Sequence, residues 1–523
     1  MPVSPAPLIT VNGGEPQNGL VPTNTIDGYG GRVIDLIFTG LYVYGIDGEP
    51  RPAMLEHLHT EDHRRFTVTL RRGWRFTDGS PVTAHSYVDA WNFGALATNK
   101  QLRSQAFAPI QGYDLVAQDQ PRARTLNGLR VVDDHTFTIE LTEPNIDFVL
   151  ALGSAPFKPL PQAFFAMPTE AFGQCPIGNG PYLMAGPTAW QHDRHIDLLA
   201  NPSYPGPDAA RNTGISIRFP RTIEDSYQDL LAGRLDVLDQ IPDTALATWR
   251  DDLGERAMRK PAALNKSLAV PYHLPHFHGE EGRLRRAAIS LAIDRHHLTT
   301  RLFHATRLPS QDFTAQSLPG FSAGLPGSDV LRHDPEAARE LWARAEEFAP
   351  YRGTFEIAHN QDGAHDLWID LMGQQIAGTL GIDVRAVAFP TFKQIRDRAV
   401  AKTLACAFRK GWRGGHPSQI DFLEPMFSSA GAANDTGYRN PDFDRALAAA
   451  KRATDLAACH TLTARAQQIL LADLPVIPLW DYVAIGGHGP DVRAEFTWNG
   501  LPDYPNITRR TAPAPRTHVD GAS

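Results

Sequence analysis

The segment TLACAFRKGWRGGHPSQIDFLEPMF, residues 403–427, sets the expectations for the rest of the chain. Leu404 to Phe408 is a short apolar run that predicts a buried strand. We expect this strand to end abruptly at Arg409, because the three glycines and three cations around Trp412 are poor core material. A strand that ends in a glycine-flanked tryptophan suits a ligand whose backbone lies against the protein backbone. A surface loop with one anchoring tryptophan is the alternative.

Length and charge limit the class of protein. With 523 residues the chain is too long for one hydrophobic core and is expected to form two to four domains. Hydrophobic residues make up 42% of the chain, which is ordinary for a soluble globular protein. The net charge is −8 and the pI is near 6.2, with no long basic block. This balance argues against nucleic acid as a partner.

Cysteine usage and hydropathy give further limits. The three cysteines, Cys175, Cys406 and Cys459, form no CxxC pair, so the sequence predicts neither a metal site nor a cofactor. One disulfide is possible, and the sequence does not choose its pair. The sequence contains no run of about 18 apolar residues, which is the length needed to span a membrane. The first residues lack a charged and an apolar signal region, which fits either a cytosolic protein or a chain trimmed of its export signal.

Periodicity and capping residues predict mixed α/β structure. Residues 8–12, 66–70 and 137–141 read as strands, the first leading into a glycine-rich turn that carries Glu15. Residues 33–43 are an apolar stretch of helical length. Thr83 is expected to cap a helix whose inner stripe belongs to the core. In the crossing segment PIGNGPY, residues 176–182, the glycines are expected to supply positive φ angles and Pro181 to fix the exit direction.

Six motifs occur in a characteristic order along the chain. They are GWRFTDGSPVTAHSYVDAW at 73–91, PIGNGPY at 176–182, AGRLDVL at 232–238, RLRRAAISLAIDR at 283–295, GYRNPDFDRAL at 437–447 and DLPVIPLW at 473–480. Together they resemble the family 5 extracellular solute-binding proteins, the oligopeptide- and dipeptide-binding subunits of ABC importers, of actinobacterial type. The resemblance covers about residues 8 to 485.

The resemblance implies an α/β, two-lobed periplasmic-binding-protein-like fold with an extra domain inserted in lobe one. Lobe one would comprise residues 1–37, 156–260 and 485–523, the inserted domain residues 38–155, and lobe two residues 261–484. The ligand would be enclosed between the lobes when the hinge closes.

The resemblance also implies where the ligand lies. In the family an extended peptide adds to the strands of the protein. Arg409, three residues before the tryptophan, is at the position that holds the peptide carboxylate in some members, where a guanidinium offers a bidentate fork. The candidate ligand-binding residues are Glu15, Pro16, Gln17, Tyr272, Arg409, Gly411, Trp412, Arg413, Asp421, Trp480 and Tyr482.

One position departs from the family pattern. Peptide-binding members typically carry an aspartate three residues after the tryptophan, where it pairs with the α-ammonium of the ligand. Gly415 stands there, and the nearest following carboxylate is Asp421. A buried ammonium without a counter-charge would cost several kcal/mol. Either another acid, Asp421 or Glu15, supplies the charge, or the natural ligand presents no free amine at that place.

The leading hypothesis is therefore a binding protein without enzymatic activity that captures a peptide or amino-acid-derived ligand. It would act outside the cytoplasm as a monomer, lipid-anchored in its full-length form, and deliver the ligand to the membrane subunits of an ABC importer. The same fold recruited to a secondary-metabolite pathway is a second hypothesis. A secreted peptide hydrolase is a third, although the sequence has neither a G-x-S-x-G nor an H-E-x-x-H motif.

Overall fold

The computed structural model describes residues 7–361 and 365–510. In this part of the chain the strands are β1 Ile9–Asn12, β2 Tyr42–Tyr44, β3 Pro50–Pro52, β4 Leu55–His59, β5 Arg65–Leu70, β6 Leu129–Asp133, β7 Thr136–Glu140, β8 Tyr182–Met184, β9 Trp190–Gln191, β10 His195–Ala200, β11 Gly214–Arg218, β12 Val237–Leu238, β13 Ala257–Ala269, β14 Arg307–Pro309, β15 Phe355–Asn360, β16 Val384–Phe389, β17 Ala407–Arg413, β18 Val476–His488, β19 Val492–Arg493 and β20 Thr508–Arg509.

The helices alternate with these strands. They are α1 Gly28–Ile37, α2 Ala84–Ala95, α3 Tyr113–Val116, α4 Phe148–Ala151, α5 Gln162–Phe165, α6 Thr169–Gln174, α7 Ile223–Leu231, α8 Trp249–Leu253, α9 Gly279–Ala292, α10 Arg295–His297, α11 Pro335–Glu346, α12 Asp366–Leu380, α13 Phe392–Val400, α14 Ile420–Phe427, α15 Pro441–Lys451 and α16 Leu456–Asp473. None of the described helices is both long and apolar enough to cross a membrane.

One twelve-stranded mixed sheet connects the two lobes. Its order is β16-β15-β17-β13-β18-β12-β1-β11-β10-β8, with β14 and β9 paired at the side. The long strands β13 and β18 run antiparallel along most of their length and have β17 on one side and β12 on the other. These two strands therefore lie in the middle of the sheet and join its two halves.

The segment 38–155 contains a sheet of its own, with four antiparallel strands in the order β4-β5-β7-β6. Helix α2 lies over it and begins with a capping box, in which Thr83 and Ser86 satisfy each other's backbone groups. Tyr87 stacks on Phe137, and Trp91 meets the same ring edge-on. The predicted strand, capped helix and buried aromatic stripe are confirmed.

The prediction for the central segment is wrong in one respect. The strand does not end at Arg409: β17 begins at Ala407 and continues through Trp412 to Arg413. It continues because these residues pair one by one with β13, where Gly411 faces Lys266 and Trp412 faces Asn265. The glycine-flanked tryptophan therefore lies within a strand rather than in a loop.

Two further local predictions need correction. Gly178 and Gly180 do not have positive φ angles. They are required by close approach, since a Cβ atom at Gly178 would lie 1.9 Å from the carbonyl oxygen of Ile37. The apolar stretch 33–43 is split, with helix α1 beginning earlier and β2 following it. The three cysteines, which left a disulfide open, are all free thiols.

Candidate ligand-binding cleft

A cavity of about 420 Å³ lies where β17 meets residues from both ends of the chain. One wall is formed by residues of helix α1 and the chain that follows it. A second wall comes from residues 497–505, and the third from Arg413, Gly414 and Gly415 at the end of β17. The lining residues come from distant parts of the chain, and concave sites of this kind are typical places for a ligand.

The first wall is held rigidly by helix α1. Asp27 caps this helix and accepts the backbone N–H groups of Tyr29 and Gly30 at 3.0 and 2.8 Å. One turn on, Arg32 donates to the Asp239 carboxylate at 2.5 Å and to the Asn12 carbonyl at 2.8 Å. Burial alone would lower the pKa of Arg32, but the charge of Asp239 raises it above its usual range. Arg32 is thus a fixed positive charge in the cavity wall.

Strand β17 approaches its neighbour β13 closely, and only its last residue, Arg413, lines the cavity. A Cβ atom at Gly411 would lie 2.6 Å from the carbonyl oxygen of Asn265, so only glycine allows this approach of the two strands. The side chain of Asn265 accepts the backbone N–H of Trp412 at 3.0 Å. The neighbouring strand β15 pairs with β17 only at Ala407 and Phe408. Among the described strands, the later part of β17 therefore pairs with β13 alone.

A group of cations lies behind Gly411 in lobe two. The ammonium of Lys266 is 3.7 Å from the position a Cβ at Gly411 would take and 5.8 Å from the ring centre of Tyr482. The guanidinium of Arg307 stacks on the same ring at 4.1 Å. Burial lowers the pKa of Lys266, and the charges of Arg409 and Arg307 add to this effect. The phenol of Tyr482 opposes this lowering. Burial alone would raise the pKa of Tyr482, but Lys266 and Arg307 lower it.

Arg409 belongs to this group rather than to the cavity wall. Its Nε donates to the side-chain oxygen of Asn360 at 2.6 Å, and its guanidinium lies 3.9 Å from the ring centre of Phe392. The residues that line the 420 Å³ cavity do not include it. Its contact with a ligand carboxylate remains a prediction.

The backbone at Gly415 closes the other end of β17. Its N–H donates to the Asp421 carboxylate at 2.7 Å. A Cβ atom at this position would lie 3.7 Å from a terminal nitrogen of Arg103 and 3.7–3.8 Å from the Asp421 oxygens, which is ordinary contact distance. Gly415 is also absent from the glycines with positive φ. Nothing in the local geometry requires glycine here.

The carboxylate of Asp421 already interacts with two neighbouring groups. Besides the Gly415 N–H it faces the imidazole of His416 at 3.5 Å, and His416 in turn binds Asp147 of the inserted segment at 2.9 Å. Burial alone would lower the pKa of His416, but Asp421 and Asp147 raise it to about 9. The single positive charge of His416 is thus shared between two carboxylates, hydrogen-bonded to Asp147 and 3.5 Å from Asp421.

The predicted turn at Glu15, Pro16 and Gln17 does not line the cavity. The Glu15 carboxylate accepts hydrogen bonds from the Trp190 indole at 3.1 Å and the Asp193 backbone N–H at 2.8 Å, and it also binds His192. To supply a charge across the cleft, Glu15 would have to break these bonds. Ligand contact by this turn stays a prediction.

Two aromatic candidates lie in the core of lobe two. Trp480 is only 1% exposed and packs against Phe303 and Trp368, each with ring centres 5.0 Å away. Tyr272 lies under the guanidinium of Arg286 at 4.2 Å. Neither residue reaches the cavity wall, because each belongs to the packing between the sheet and its helices.

Sequence reasoning missed several residues of the cavity. Arg103, Lys158, Trp498 and Tyr504 all line it, although none lies in a motif that had drawn attention. Lys158 is 4% exposed and pairs with Asp35 at 2.5 Å. Their only sequence signal was a charged or aromatic residue in a segment without periodicity. That signal does not separate a cavity residue from a surface one.

No group of three or more His, Cys, Asp or Glu side chains within residues 7–361 and 365–510 is placed to hold a metal ion.

The sequence of this chain matches a known protein family over most of its length. The sequence profile of the bacterial extracellular solute-binding proteins, family 5, matches residues 49–434. The chain belongs to this family.

Relatives of family 5 match nearly the whole chain. The oligopeptide-binding protein OppA of Bacillus subtilis is 24% identical over 474 residues, covering 87% of this chain and 84% of the relative. The murein tripeptide-binding protein MppA of Escherichia coli has a structure that superposes with a TM-score of 0.80 at 20% identity, over 98% of this chain and 99% of MppA. Haemophilus influenzae OppA, in complex with RPPGFSPFR, gives a TM-score of 0.81 at 21% identity, over 96% and 99% of the two chains. The two-lobed α/β fold is thereby shown.

Proposed function

We propose that this family 5 protein captures a peptide or amino-acid-derived ligand in extended form between its lobes and hands it to the membrane subunits of an ABC importer. The matched relatives support the ligand class, since the B. subtilis protein is named an oligopeptide-binding protein and H. influenzae OppA was solved with a nonapeptide. The family is one of binding proteins, which argues against the peptide hydrolase.

The observation that carries the proposal is the later part of β17. From Lys410 to Arg413 this strand pairs with β13, and on its other side no described strand continues the pairing that β15 makes with Ala407 and Phe408. An extended peptide can add there as a further strand, with its main chain providing affinity independent of its side chains. The indole N–H of Trp412 is buried without an acceptor among the described residues. A ligand carbonyl is a suitable partner for it.

The carboxylate end of the ligand is proposed to lie toward Arg409. Arg409 and Arg307 both repel the charge of Lys266, and the phenol of Tyr482, rather than a carboxylate, is the group that opposes this repulsion. A carboxylate there would neutralise part of this charge and accept charge-assisted hydrogen bonds. The other end of the ligand would then point along β17 toward Gly415.

The two lobes are proposed to close around the bound ligand. We assign lobe one to residues 1–37, 156–260 and 485–523, the inserted domain to residues 38–155, and lobe two to residues 261–484. Two lobes joined mainly by β13 and β18 can move as rigid bodies about these strands, and ligand bound between them favours the closed form. The protein is proposed to act outside the cytoplasm as a monomer, held at the membrane by a lipid anchor.

The test begins with the ligand itself. Protein purified under native conditions is denatured, and the released small molecules are weighed by mass spectrometry. Small-angle scattering of ligand-free protein is then compared before and after adding the identified compound. A peptide or amino-acid derivative that contracts the particle supports the proposal. An unchanged scattering profile at saturating ligand would remove the closure mechanism, and a ligand of another class would remove the peptide assignment.

A further inference from the structure

Arg103 occupies an unusual position in the cavity. It belongs to the inserted segment, and its guanidinium reaches the backbone at Gly415 from the opposite wall. In the described residues its side chain has no hydrogen bond and no carboxylate within 4.0 Å. Asp421 and Asp35 act on it only at longer range, and burial outweighs them in lowering its pKa. Arg103 thus offers its donors to the cavity.

A second guanidinium that lines this cavity also lacks a carboxylate partner among the described residues. Arg413 donates one hydrogen bond, to the carbonyl of Asn499 at 2.6 Å, and lies exposed in the cavity. Arg32 lies close enough to oppose its charge. The Nε of Arg32, a residue only 6% exposed, is buried without a partner. Three guanidinium groups from three parts of the chain therefore converge on one cavity.

Each of the four carboxylates that line the cavity has a nearer partner than Arg103 or Arg413, either another cation or a neutral hydrogen-bond donor. Asp35 binds Lys158 at 2.5 Å and Asp208 binds Arg51 at 3.4 Å. Asp27 caps helix α1, and Asp503 accepts the side-chain amide of Asn506 at 2.9 Å. Among the described residues that line the cavity, Arg103 and Arg413 are therefore the two cations without an acidic partner.

We propose that the cavity beside Gly415 binds a carboxylate of the ligand, with Arg103 and Arg413 as its donors. Guanidinium groups match carboxylates geometrically through pairs of parallel N–H···O bonds. The inference rests on the proposed function, and it names the ligand class as peptides whose amino end carries an acidic acyl group in place of a free ammonium. A free ammonium is disfavoured there because the guanidinium groups of Arg103 and Arg413, which line the cavity, would repel it.

The test uses three sets of peptides that differ at one end only. Alanine peptides of three to five residues are prepared with a free amine, with an N-succinyl group and with an N-succinamoyl group. The last two have nearly the same shape and differ by one negative charge. Calorimetry on ligand-free protein is expected to show the succinyl peptides binding about tenfold tighter or more than the succinamoyl peptides, since a hydrogen bond to a charged group is the stronger kind. The free amines are expected to bind most weakly.

Substitutions of Arg103 test whether this residue causes the affinity difference between succinyl and succinamoyl peptides. Arg103→Gln is expected to abolish most of the difference between succinyl and succinamoyl peptides, with the larger loss of affinity in the succinyl form, and Arg103→Lys to retain part of the difference. Arg72→Gln is the matched control, because Arg72 is an exposed arginine of the same inserted segment outside the cavity wall. It should behave as wild type.

The outcomes separate the two proposals. If peptides bind but the succinyl and succinamoyl forms are equal, or if Arg103→Gln leaves their difference intact, the carboxylate site is overturned and the peptide-binding function stands. If the free amines bind tightest, the site recognises an ammonium after all. If no peptide of any form binds, the proposed function fails and takes this inference with it.

Discussion

The imidazole of His416 lies 2.9 Å from the carboxylate of Asp147, and this contact joins the loop after β17 to the segment 38–155. Both residues are buried, at 8% and 6% exposure. Ser418 donates to the other oxygen of the same carboxylate. The loop after β17, which carries Gly415, is therefore positioned by an ion pair with a distant part of the chain.

This ion pair makes stability depend on pH. The pKa of His416 is raised to about 9 from 6.5, so its contribution is fully present below about pH 6.5 and is lost as the pH rises through 9. The shift corresponds to a loss on the order of 3 kcal/mol, at 1.36 kcal/mol per unit. Urea unfolding of the wild type between pH 6 and 9.5 is expected to show this decline.

Substitution of the histidine provides the comparison for the pH effect. His416→Gln is expected to be less stable than wild type at pH 6 and to lose much less stability toward pH 9.5. His57→Gln, which changes an exposed histidine, is the control and should keep the wild-type slope. Equal slopes for wild type and His416→Gln would mean that His416 does not carry the charge assigned to it.

A second buried ion pair fixes β17 from behind. Lys410 and Asp435 are 4% and 6% exposed and bind each other, while Arg396 approaches the same carboxylate only to 3.8 Å. Lys410→Met is expected to destabilise the protein by about 3–5 kcal/mol, because it leaves a buried carboxylate without its main partner. The double variant Lys410→Met/Asp435→Leu should regain most of that loss in chemical unfolding. A double variant no more stable than the single one would contradict this explanation.

Gly178 of the crossing segment, residues 176–182, lies so close to the backbone of Ile37 that a side chain has no room there. Gly178→Ala is expected to lower the free energy of unfolding by about 1–3 kcal/mol or more, because the new methyl group would collide with the Ile37 carbonyl. Gly378→Ala is the matched control: it lies inside helix α12 with open space around it and should stabilise the protein by about 0.5–1 kcal/mol. Thermal unfolding is expected to show a lower midpoint for Gly178→Ala and a higher midpoint for Gly378→Ala than for wild type. A Gly178→Ala variant as stable as wild type would refute the close-approach argument.

Arg409 can be tested as a partner of the ligand carboxylate. Arg409→Ala is expected to weaken binding of a peptide with a free carboxylate by about 2–5 kcal/mol, the usual loss when one member of a buried charge pair is removed. It should have little effect on the corresponding C-terminal amide. Arg352→Ala, an exposed arginine of lobe two, is the control. Unchanged calorimetric affinity for both the peptide and its amide would exclude Arg409 from the site.

Gly415 can be converted to the residue that the family pattern favours. An N-acetylated peptide is expected to bind the wild type about as well as the free amine or better, since no unpaired acid rewards an ammonium. In Gly415→Asp the introduced carboxylate would lie beside Arg103 and cancel its charge, and the backbone has no positive φ to forbid the side chain. The variant should therefore favour free amines. A large loss of wild-type affinity on acetylation would show that the amine is recognised.

Much of the fold could be predicted because its signals are local. Asp334 and Asn440, each followed by a proline, cap helices α11 and α15, and Gly381 ends α12 in the left-handed conformation. The alternating apolar residues of β5 and β7 lie on the buried face. Such features depend on a few neighbouring residues, so the order of motifs was sufficient to indicate the two-lobed fold and its family.

The sequence by itself thus determined the elements, the fold class and the strand against which a ligand is expected to lie. Only the tertiary structure decided the chemistry at the end of that strand. His416 and Asp147 are 269 positions apart, and Arg103 approaches Gly415 across a similar interval. Whether a charged side chain is paired depends on which distant groups the fold brings within a few ångströms, because Coulomb interactions act through space and not along the chain. For the same reason β17 continues past Phe408: its partner β13 holds Arg409 to Arg413 in a strand that their composition alone does not favour.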